Sequence, residues 1–366
     1  MNKFIRIYLL PGAVLQSVVI AGGYGTGREV VEFFTSEGLY SGLMGLATAA
    51  VCMAVIFCLC LEISRLFKVY DYRSFFRILL GRGWFLFEII AATMFMLVIA
   101  VIGSAAGEVM NNELGLHPMA GVTLMLASVT FLVFYGRELV TRILAYWSIF
   151  LYVVFFGYLI AVFSMLSGEV AQGFSVSNDQ SSWFTRGLQY TFYNAPAIPV
   201  ILYCATAIET RKQAVIAGIV GSLIAVIPGV MLHVSFAAHY PEVLGEALPI
   251  YAIFSILNIG ILKLAYLLML FGTFVETGAG NLQGFMERLD NWRRENDRPA
   301  FSRLFHAGIA AAVMLFAGGL SHLGIVTLIA DGYGTLAWGY LVVFVIPLFT
   351  VGILKIYGFS SNRQQQ

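Results

Sequence analysis

Residues 4–34, FIRIYLLPGAVLQSVVIAGGYGTGREVVEFF, decide the fold of this chain. The two outer parts are apolar enough for one membrane span, but residues 22–29 between them hold four glycines next to Arg28 and Glu29. Glycine weakens a helix, and lipid cannot satisfy the polar groups of an unwound backbone. The stretch therefore predicts a broken membrane helix whose break is packed in protein or lines a cavity.

The composition predicts an all-α polytopic membrane protein. Hydrophobic residues make up 60% of the chain and charged residues 11%, with a mean hydropathy of +0.86. Long apolar runs recur from end to end, as in helical membrane proteins. The net charge of +1 does not indicate nucleic acid as a partner. The expected partners are the lipid bilayer and a small-molecule substrate, and we expect neither enzymatic activity nor a bound cofactor.

The apolar runs predict ten spans in a single transmembrane domain over residues 1–366, with one repeat at about 1–167 and a second at about 186–355. The stretches are numbered here in chain order as spans 1 to 10: 5–34, 41–65, 84–110, 118–135, 142–167, 186–208, 212–237, 260–284, 304–320 and 336–355.

The positive charges predict the topology. Lys and Arg cluster in every second loop and at both chain ends, whereas none occurs in the loops 35–40, 111–117, 168–185, 238–259 and 321–335. An excess of Lys and Arg marks cytoplasmic loops. We therefore expect a multi-pass protein of the cytoplasmic membrane with both termini in the cytoplasm. The apolar start lacks an A-x-A cleavage site and is expected to stay uncleaved.

Span 6 carries a second break, YNAPAIP at residues 193–199. Pro196 and Pro199 each remove a backbone donor and clash with the preceding turn. In the predicted topology, span 1 enters from the cytoplasm and span 6 from outside, so the two breaks occupy matching places in two inverted halves. This five-plus-five pattern is typical of secondary transporters. The alternative is two ordinary kinked helices, because proline is common in membrane helices.

The motifs at these positions resemble the YkvI-like membrane proteins, a group of permeases in the amino acid–polyamine–organocation (APC) superfamily. The resemblance implies a LeuT-like, ten-helix fold with a five-plus-five inverted repeat in which helices 1 and 6 are discontinuous. The chain departs from the group at Arg28, where the family has Gln, and at Glu276, where it has Thr. The segments that carry the resemblance are Gly27-Arg28-Glu29 with Phe33-Phe34, Tyr193-Asn194 to Pro199, Glu276-Thr277-Gly278-Ala279-Gly280-Asn281, and residues 328–334, LIADGYG.

The resemblance also implies where a coupling ion would bind. In the LeuT fold, this part of helix 8 faces the break of helix 1 and helps to form a sodium site, and the matching positions are Thr273, Glu276 and Thr277. Together with Glu29 they are the predicted ion-coupling residues. A carboxylate at position 276 could hold Na⁺ or carry a proton. It could instead be structural, paired with Arg28 or capped by helix hydroxyls.

The predicted substrate-binding residues lie at the two breaks. Arg28 has two readings that the sequence leaves open: its guanidinium could bind a substrate carboxylate, or it could neutralise Glu29, Glu32 or Glu276 in a fixed ion pair. The full predicted set is Gly23, Tyr24, Gly25, Thr26, Gly27, Arg28, Tyr193 and Asn194.

The leading functional hypothesis is a secondary active transporter, a symporter of a small amphipathic solute such as an amino acid or a related amine or acid. Protons or sodium would drive it, and helices 1 and 6 would give alternating access. The alternatives are an ion channel and a non-transporting membrane partner that keeps the fold. A transporter predicts saturable, gradient-driven uptake, a channel predicts ohmic current without saturable uptake, and a partner protein predicts neither.

Overall fold

The computed structural model of the chain describes residues 3–20, 22–135, 137–295, 297–299 and 301–364. Every regular element within these ranges is a helix, as the sequence predicts. Most of the predicted spans are single long helices. These are Leu39–Phe67, Trp84–Leu114, Pro118–Tyr135, Arg137–Met165, Arg211–Phe236, Gly260–Glu295 and Arg303–Ser321, which correspond to spans 2, 3, 4, 5, 7, 8 and 9.

Spans 1, 6 and 10 are built from shorter pieces, so the predicted discontinuity of helices 1 and 6 is confirmed. Span 1 consists of Ile5–Leu9, Leu10–Val19, Gly22–Gly25 and Arg28–Phe33, with residue 21 outside the described ranges. Span 6 consists of Trp183–Asn194, Ala197–Val200 and Leu202–Ala207. Span 10 alternates α-helical and π-helical turns: Leu328–Tyr333, Gly334–Tyr340, Leu341–Val345, Leu348–Gly352 and Ile353–Gln364.

Length and composition identify six helical stretches in the described residues that could each cross a membrane. A seventh is added if Phe150–Met165 and Ser167–Ser175, which meet at 74°, form one bent span. The broken spans 1 and 6 do not supply a single helix of this length, and the apolar helix Pro118–Leu132 is also shorter. The polytopic all-α architecture is therefore present, while the count of ten spans and the division into two repeats stay predictions.

Two boundaries differ from the sequence prediction. The helix of span 8 runs on to Glu295, past the predicted end at 284, because its last turns are polar and lie beyond the apolar run that marked the span. The apolar stretch 246–257, EALPIYAIFSIL, predicts a short helix ahead of span 8, and the structure has this helix at Pro249–Leu257. It ends at Asn258, which adopts the left-handed conformation (φ 53°) that often closes a helix.

The spans pack in two groups. Spans 1, 2, 6 and 7 contact one another, and spans 3, 4, 5, 8 and 9 form a second set of contacts. Small residues allow close approach within the first group: a methyl group at Gly12 of span 1 would lie only 2.5 Å from the Cα of Gly221 in span 7. The candidate site lies where the broken spans of the first group face spans 3, 5 and 8 of the second.

Candidate functional site

The break in span 1 is stabilised by hydrogen bonds from its own Thr26 and from Tyr266 of span 8. The first helix ends at Ile20 (ψ 66°), and Gly27 adopts a left-handed conformation (φ 81°) before the last helix starts. The Thr26 hydroxyl donates to the carbonyl of Gly23 at 2.6 Å. Tyr266 of span 8 donates its hydroxyl to the carbonyl of Gly25 at 2.8 Å. Backbone acceptors freed by the break therefore find partners inside the protein, as burial in a membrane protein requires.

The break in span 6 follows Asn194. The helix Trp183–Asn194 stops there, and Pro196 cannot supply the backbone donor that would continue it. The Asn194 side-chain amide donates to the carbonyl of Tyr190 one turn earlier, at 3.0 Å. Asn194 is 8% exposed, and its amide side chain borders the cavity described below.

The two breaks are joined by a hydrogen bond between buried side chains. Tyr193 of span 6 donates its hydroxyl to a carboxylate oxygen of Glu29 in span 1, at 2.5 Å. The Tyr193 ring packs on Phe33, with ring centroids 5.3 Å apart, and on Tyr333 of span 10, at 5.0 Å. Glu29 is 3% exposed, and among the described residues it has no ion-pair partner within 4.0 Å.

A central cavity of about 680 Å³ lies beside these breaks. It extends along span 8 from Thr273 to Leu289, about 24 Å of helix at 1.5 Å per residue. Spans 1, 3, 5, 6, 8 and 10 all contribute to its wall. The lining includes Val19, Ile20, Glu29, Glu88, Phe95, Tyr152, Tyr193, Asn194, Thr273, Glu276, Thr277, Asn281, Tyr333 and Tyr340.

The charge of the central cavity is one-sided. Glu29, Glu88 and Glu276 line it, and none of its described lining residues is Lys, Arg or His. Several aromatic side chains line the same space, so the wall combines carboxylates with aromatic rings. Such a wall attracts a cation twice, through the carboxylate charge and through the aromatic quadrupole.

The predicted ion-coupling residues meet in this cavity. Thr273, Glu276 and Thr277 of span 8 line it together with Ile20 and Glu29 of span 1. The face of span 8 that carries them therefore borders the same space as the helix 1 break, as the resemblance implies. Thr273 is 2% exposed and donates its hydroxyl to the carbonyl of Met269 at 2.8 Å, which leaves the hydroxyl oxygen able to accept or to coordinate.

Arg28 lies away from the described lining of the central cavity and closes the opposite side of the break. It is 5% exposed, and its guanidinium donates to the carbonyls of Leu244 and Glu246 at 3.0 and 3.1 Å and to the Glu32 carboxylate at 2.8 Å. Arg186 of span 6 adds contacts of 3.7 Å to Glu32 and 3.4 Å to Glu37. Of the two readings of Arg28, the structure contains the fixed ion pair, and its partner is Glu32.

The remaining predicted residues frame the break without lining the cavity in the described structure. Gly23 packs against the Glu29 side chain and Gly25 against Leu270. Gly27 lies against the ring of Phe236, so its left-handed turn has no room for a side chain. Tyr24 is fully buried, with its hydroxyl close to Gly229 of span 7. Of the predicted substrate residues, the cavity brings together Tyr193 and Asn194.

Sequence reasoning missed several lining residues. Tyr333 lies in the LIADGYG segment that the resemblance singled out, but its side chain was not assigned a role. Glu88 sits four residues into the helix of span 3, where a position near the interface suggested a solvated carboxylate. Its ionisable character within a predicted span was the available signal. Asn281 ends the segment 276–281 that carries the resemblance, but it was not assigned a role either. Tyr152 gave no signal that separates it from other polar residues in the spans.

No family model matches the chain. A search of curated proteins finds the uncharacterized membrane protein YkvI of Bacillus subtilis (strain 168), which is 24% identical over 343 residues. The match covers 87% of this chain and 89% of that protein. The membrane character of the chain and its likeness to YkvI agree with the expected resemblance, while membership of the APC superfamily stays a prediction.

Solved structures of two transporters share the fold. A Na⁺-coupled sialic acid symporter in a substrate-bound, outward-open state aligns with a TM-score of 0.57 at 14% identity, over 93% of this chain and 78% of that one. A variant of the Eremococcus coleocola manganese transporter aligns with a TM-score of 0.58 at 13% identity, over 94% and 79%. The fold is that of multi-pass transporters. At these identities the likeness concerns the fold alone.

Proposed function

We propose that the protein is a secondary active transporter that moves a small organic cation, such as an amine, by alternating access. One observation carries the proposal: the central cavity at the two helix breaks is lined by Glu29, Glu88 and Glu276 together with aromatic rings. The transporter fold of the structural neighbours supports the general function. The lining supports the choice of substrate class.

The positive charge of the proposed substrate follows from the free-energy cost of burying a carboxylate without a partner. A carboxylate in a low-dielectric cavity is stabilised by a cation or a proton, and a buried charge without either is costly. Arg28, the predicted partner for a substrate carboxylate, already binds Glu32 and two carbonyls. An amine with an apolar body would satisfy both the carboxylates and the rings. An amino acid would need a further partner for its carboxylate.

Coupling is proposed at Glu276. It shares the cavity wall with Thr273 and Thr277, so three oxygen-bearing side chains face one space. Oxygen ligands of this kind suit a hard cation such as Na⁺. The same carboxyl could instead take up and release a proton. In either case a coupling ion and the substrate would meet in one cavity.

The contacts around the break suggest how access alternates. The central cavity extends towards Glu88 and Leu289, which lie at the predicted cytoplasmic ends of spans 3 and 8. On the other side, Arg28 ties span 1 to carbonyls of the predicted outer loop 238–259. We infer that this conformation faces the cytoplasm and that the Arg28 contacts must separate when the site opens outwards.

The test is uptake into proteoliposomes that contain the purified protein. Radiolabelled amines, amino acids and carboxylic acids would be compared with and without an imposed pH or Na⁺ gradient. The proposal predicts saturable, gradient-stimulated uptake that favours the amines. Ohmic current without saturable uptake would instead identify a channel, and preference for carboxylic acids would refute the cationic substrate class.

Glu276→Gln tests the coupling. We expect it to abolish gradient-driven accumulation and to leave at most exchange or downhill movement, because the amide cannot exchange a proton and ligates a cation weakly. Glu113→Gln is the matched control: Glu113 is also a membrane-helix carboxylate, but it pairs with Lys263 at 2.7 Å outside the described cavity lining. Full accumulation by Glu276→Gln would remove this residue from the coupling mechanism.

A further inference from the structure

A second cavity of about 490 Å³ lies between spans 4, 5 and 8 and shares Glu276 with the central cavity. We call it the side cavity. Its walls are mostly apolar and aromatic. The lining includes Ala127, Ser128 and Phe131 of span 4, Trp147 of span 5, and Val275 and Glu276 of span 8.

Glu276 is the polar side chain of the side cavity that remains available to bind a ligand. The Ser128 hydroxyl donates to the carbonyl of Leu124 at 2.8 Å, and the Trp147 ring N–H donates to the carbonyl of Met269 at 3.3 Å. Within the described part of the chain, no hydrogen bond or ion pair involves the Glu276 carboxyl. A carboxyl that faces an apolar cavity finds no partner in lipid, so a bound cation would stabilise its charged form.

We propose that the side cavity binds a hydrophobic amine whose ammonium contacts Glu276 and whose apolar body packs against Trp147 and Phe131. The volume falls within the roughly 300–1,000 Å³ typical of small-molecule sites. The two aromatic rings supply the faces that attract an ammonium group. The combination of one carboxylate with an otherwise apolar wall selects a ligand with a single positive charge and an apolar remainder.

The side cavity opens towards the outer apolar surface of the protein. Phe131 on its rim is 57% exposed, on the apolar helix of span 4, which the sequence predicts to cross the membrane. The amine would therefore enter from the bilayer, where amphipathic amines concentrate. Because Glu276 also borders the central cavity, such a ligand would occupy the proposed coupling carboxyl. That last consequence rests on the proposed transport function, whereas binding itself does not.

The first experiment compares phenylbutylamine with its neutral analogue phenylbutanol on the wild-type protein in lipid nanodiscs. Isothermal titration measures each affinity at a pH at which the amine is charged. The charged contact to Glu276 should make the amine bind about tenfold tighter or more, which is the range for one hydrogen bond to a charged group. Equal affinity for the amine and the alcohol would overturn the proposal. This comparison requires no variant.

Variants that fill one cavity at a time locate the ligand. Ala127→Trp fills the side cavity and should remove the amine site that lies there, and Ser128→Phe serves the same purpose should the first variant fail to fold. Ala91→Trp is the matched control, because Ala91 lines the central cavity and not the side cavity. It should remove only the amine site proposed in the central cavity and leave the affinity of the side cavity within about twofold. Loss of binding in Ala91→Trp with retention in Ala127→Trp would place the amine in the central cavity and refute the side cavity.

Glu276→Gln completes the test. In the Ala91→Trp background, in which the central cavity is filled, it should abolish the preference for phenylbutylamine over phenylbutanol, because Glu276 is the carboxylate that lines the side cavity. A preference that survives this substitution would overturn the assignment of Glu276. Since all three measurements report binding, they remain decisive even where uptake assays show no transport, and a positive uptake assay cannot stand in for them.

Discussion

Arg28→Gln is the sharpest test of how Arg28 holds span 1 against the loop at Leu244 and Glu246. The substitution removes the charge that Glu32 pairs with at 2.8 Å and the two hydrogen bonds to the carbonyls of Leu244 and Glu246. Breaking a buried ion pair by removing one partner costs about 3–5 kcal/mol. Because Arg186 stays within 3.7 Å of Glu32 and Gln can keep one contact, we expect a loss of about 2–4 kcal/mol.

The assay is denaturant unfolding of the purified protein, read alongside substrate affinity. Arg186→Gln is the control from the same network, because the Arg186 side chain is 32% exposed and its contacts to Glu32 and Glu37 are 3.7 and 3.4 Å long. Although Glu32 and Glu37 are themselves buried, solvent screens the partly exposed Arg186 and its contacts are longer, so each of them is weaker than the Arg28 pair. Arg28→Gln should therefore destabilise the protein clearly more than Arg186→Gln does.

The same experiment distinguishes the two roles that the sequence left open for Arg28. A structural arginine predicts lower stability with unchanged substrate affinity in the protein that remains folded. A substrate ligand predicts unchanged stability with an affinity loss of about 1.5–3 kcal/mol, the usual range for a hydrogen bond to a charged group. Equal destabilisation by the two arginine variants, or none by Arg28→Gln, would refute the role in closure that we assign.

Two further substitutions test the breaks themselves. Gly27→Ala should destabilise the protein by more than about 1 kcal/mol, because the left-handed turn (φ 81°) strains any other residue and the ring of Phe236 fills the space. The control Gly308→Ala, at an open position on span 9, should leave the stability unchanged or raise it. Equal stability changes in the two variants would contradict the argument. Tyr193→Phe removes only the hydroxyl that donates a hydrogen bond to Glu29, so it should lower the free energy of unfolding by about 1–3 kcal/mol. In a Glu29→Ala background the same substitution should cost nearly nothing. Additive effects of the two substitutions would show that the side chains do not interact.

The sequence predicts the frame of this molecule better than its site, for a physical reason. Apolar runs and the Gly- and Pro-rich segments act locally, so they locate the helices and both breaks. An apolar run ends where the helix becomes polar, which is why the polar extension of span 8 to Glu295 was missed. The direction of a side chain depends on packing against other spans. Glu88 shows this, because its place near the start of span 3 is typical of a residue at the membrane interface, yet its side chain lines the central cavity.

Arg28 and Glu29 show why adjacent residues can have separate tasks. Successive residues on a helix point about 100° apart, so two neighbours can face different spaces. The left-handed turn at Gly27 sets the start of the helix Arg28–Phe33, and with it which of the two faces the cavity. The result is that Glu29 lines the central cavity and Arg28 binds the loop at Leu244 and Glu246. One short helix thus carries both a site carboxylate and a closing contact, so a movement of this helix changes the site and its closure together.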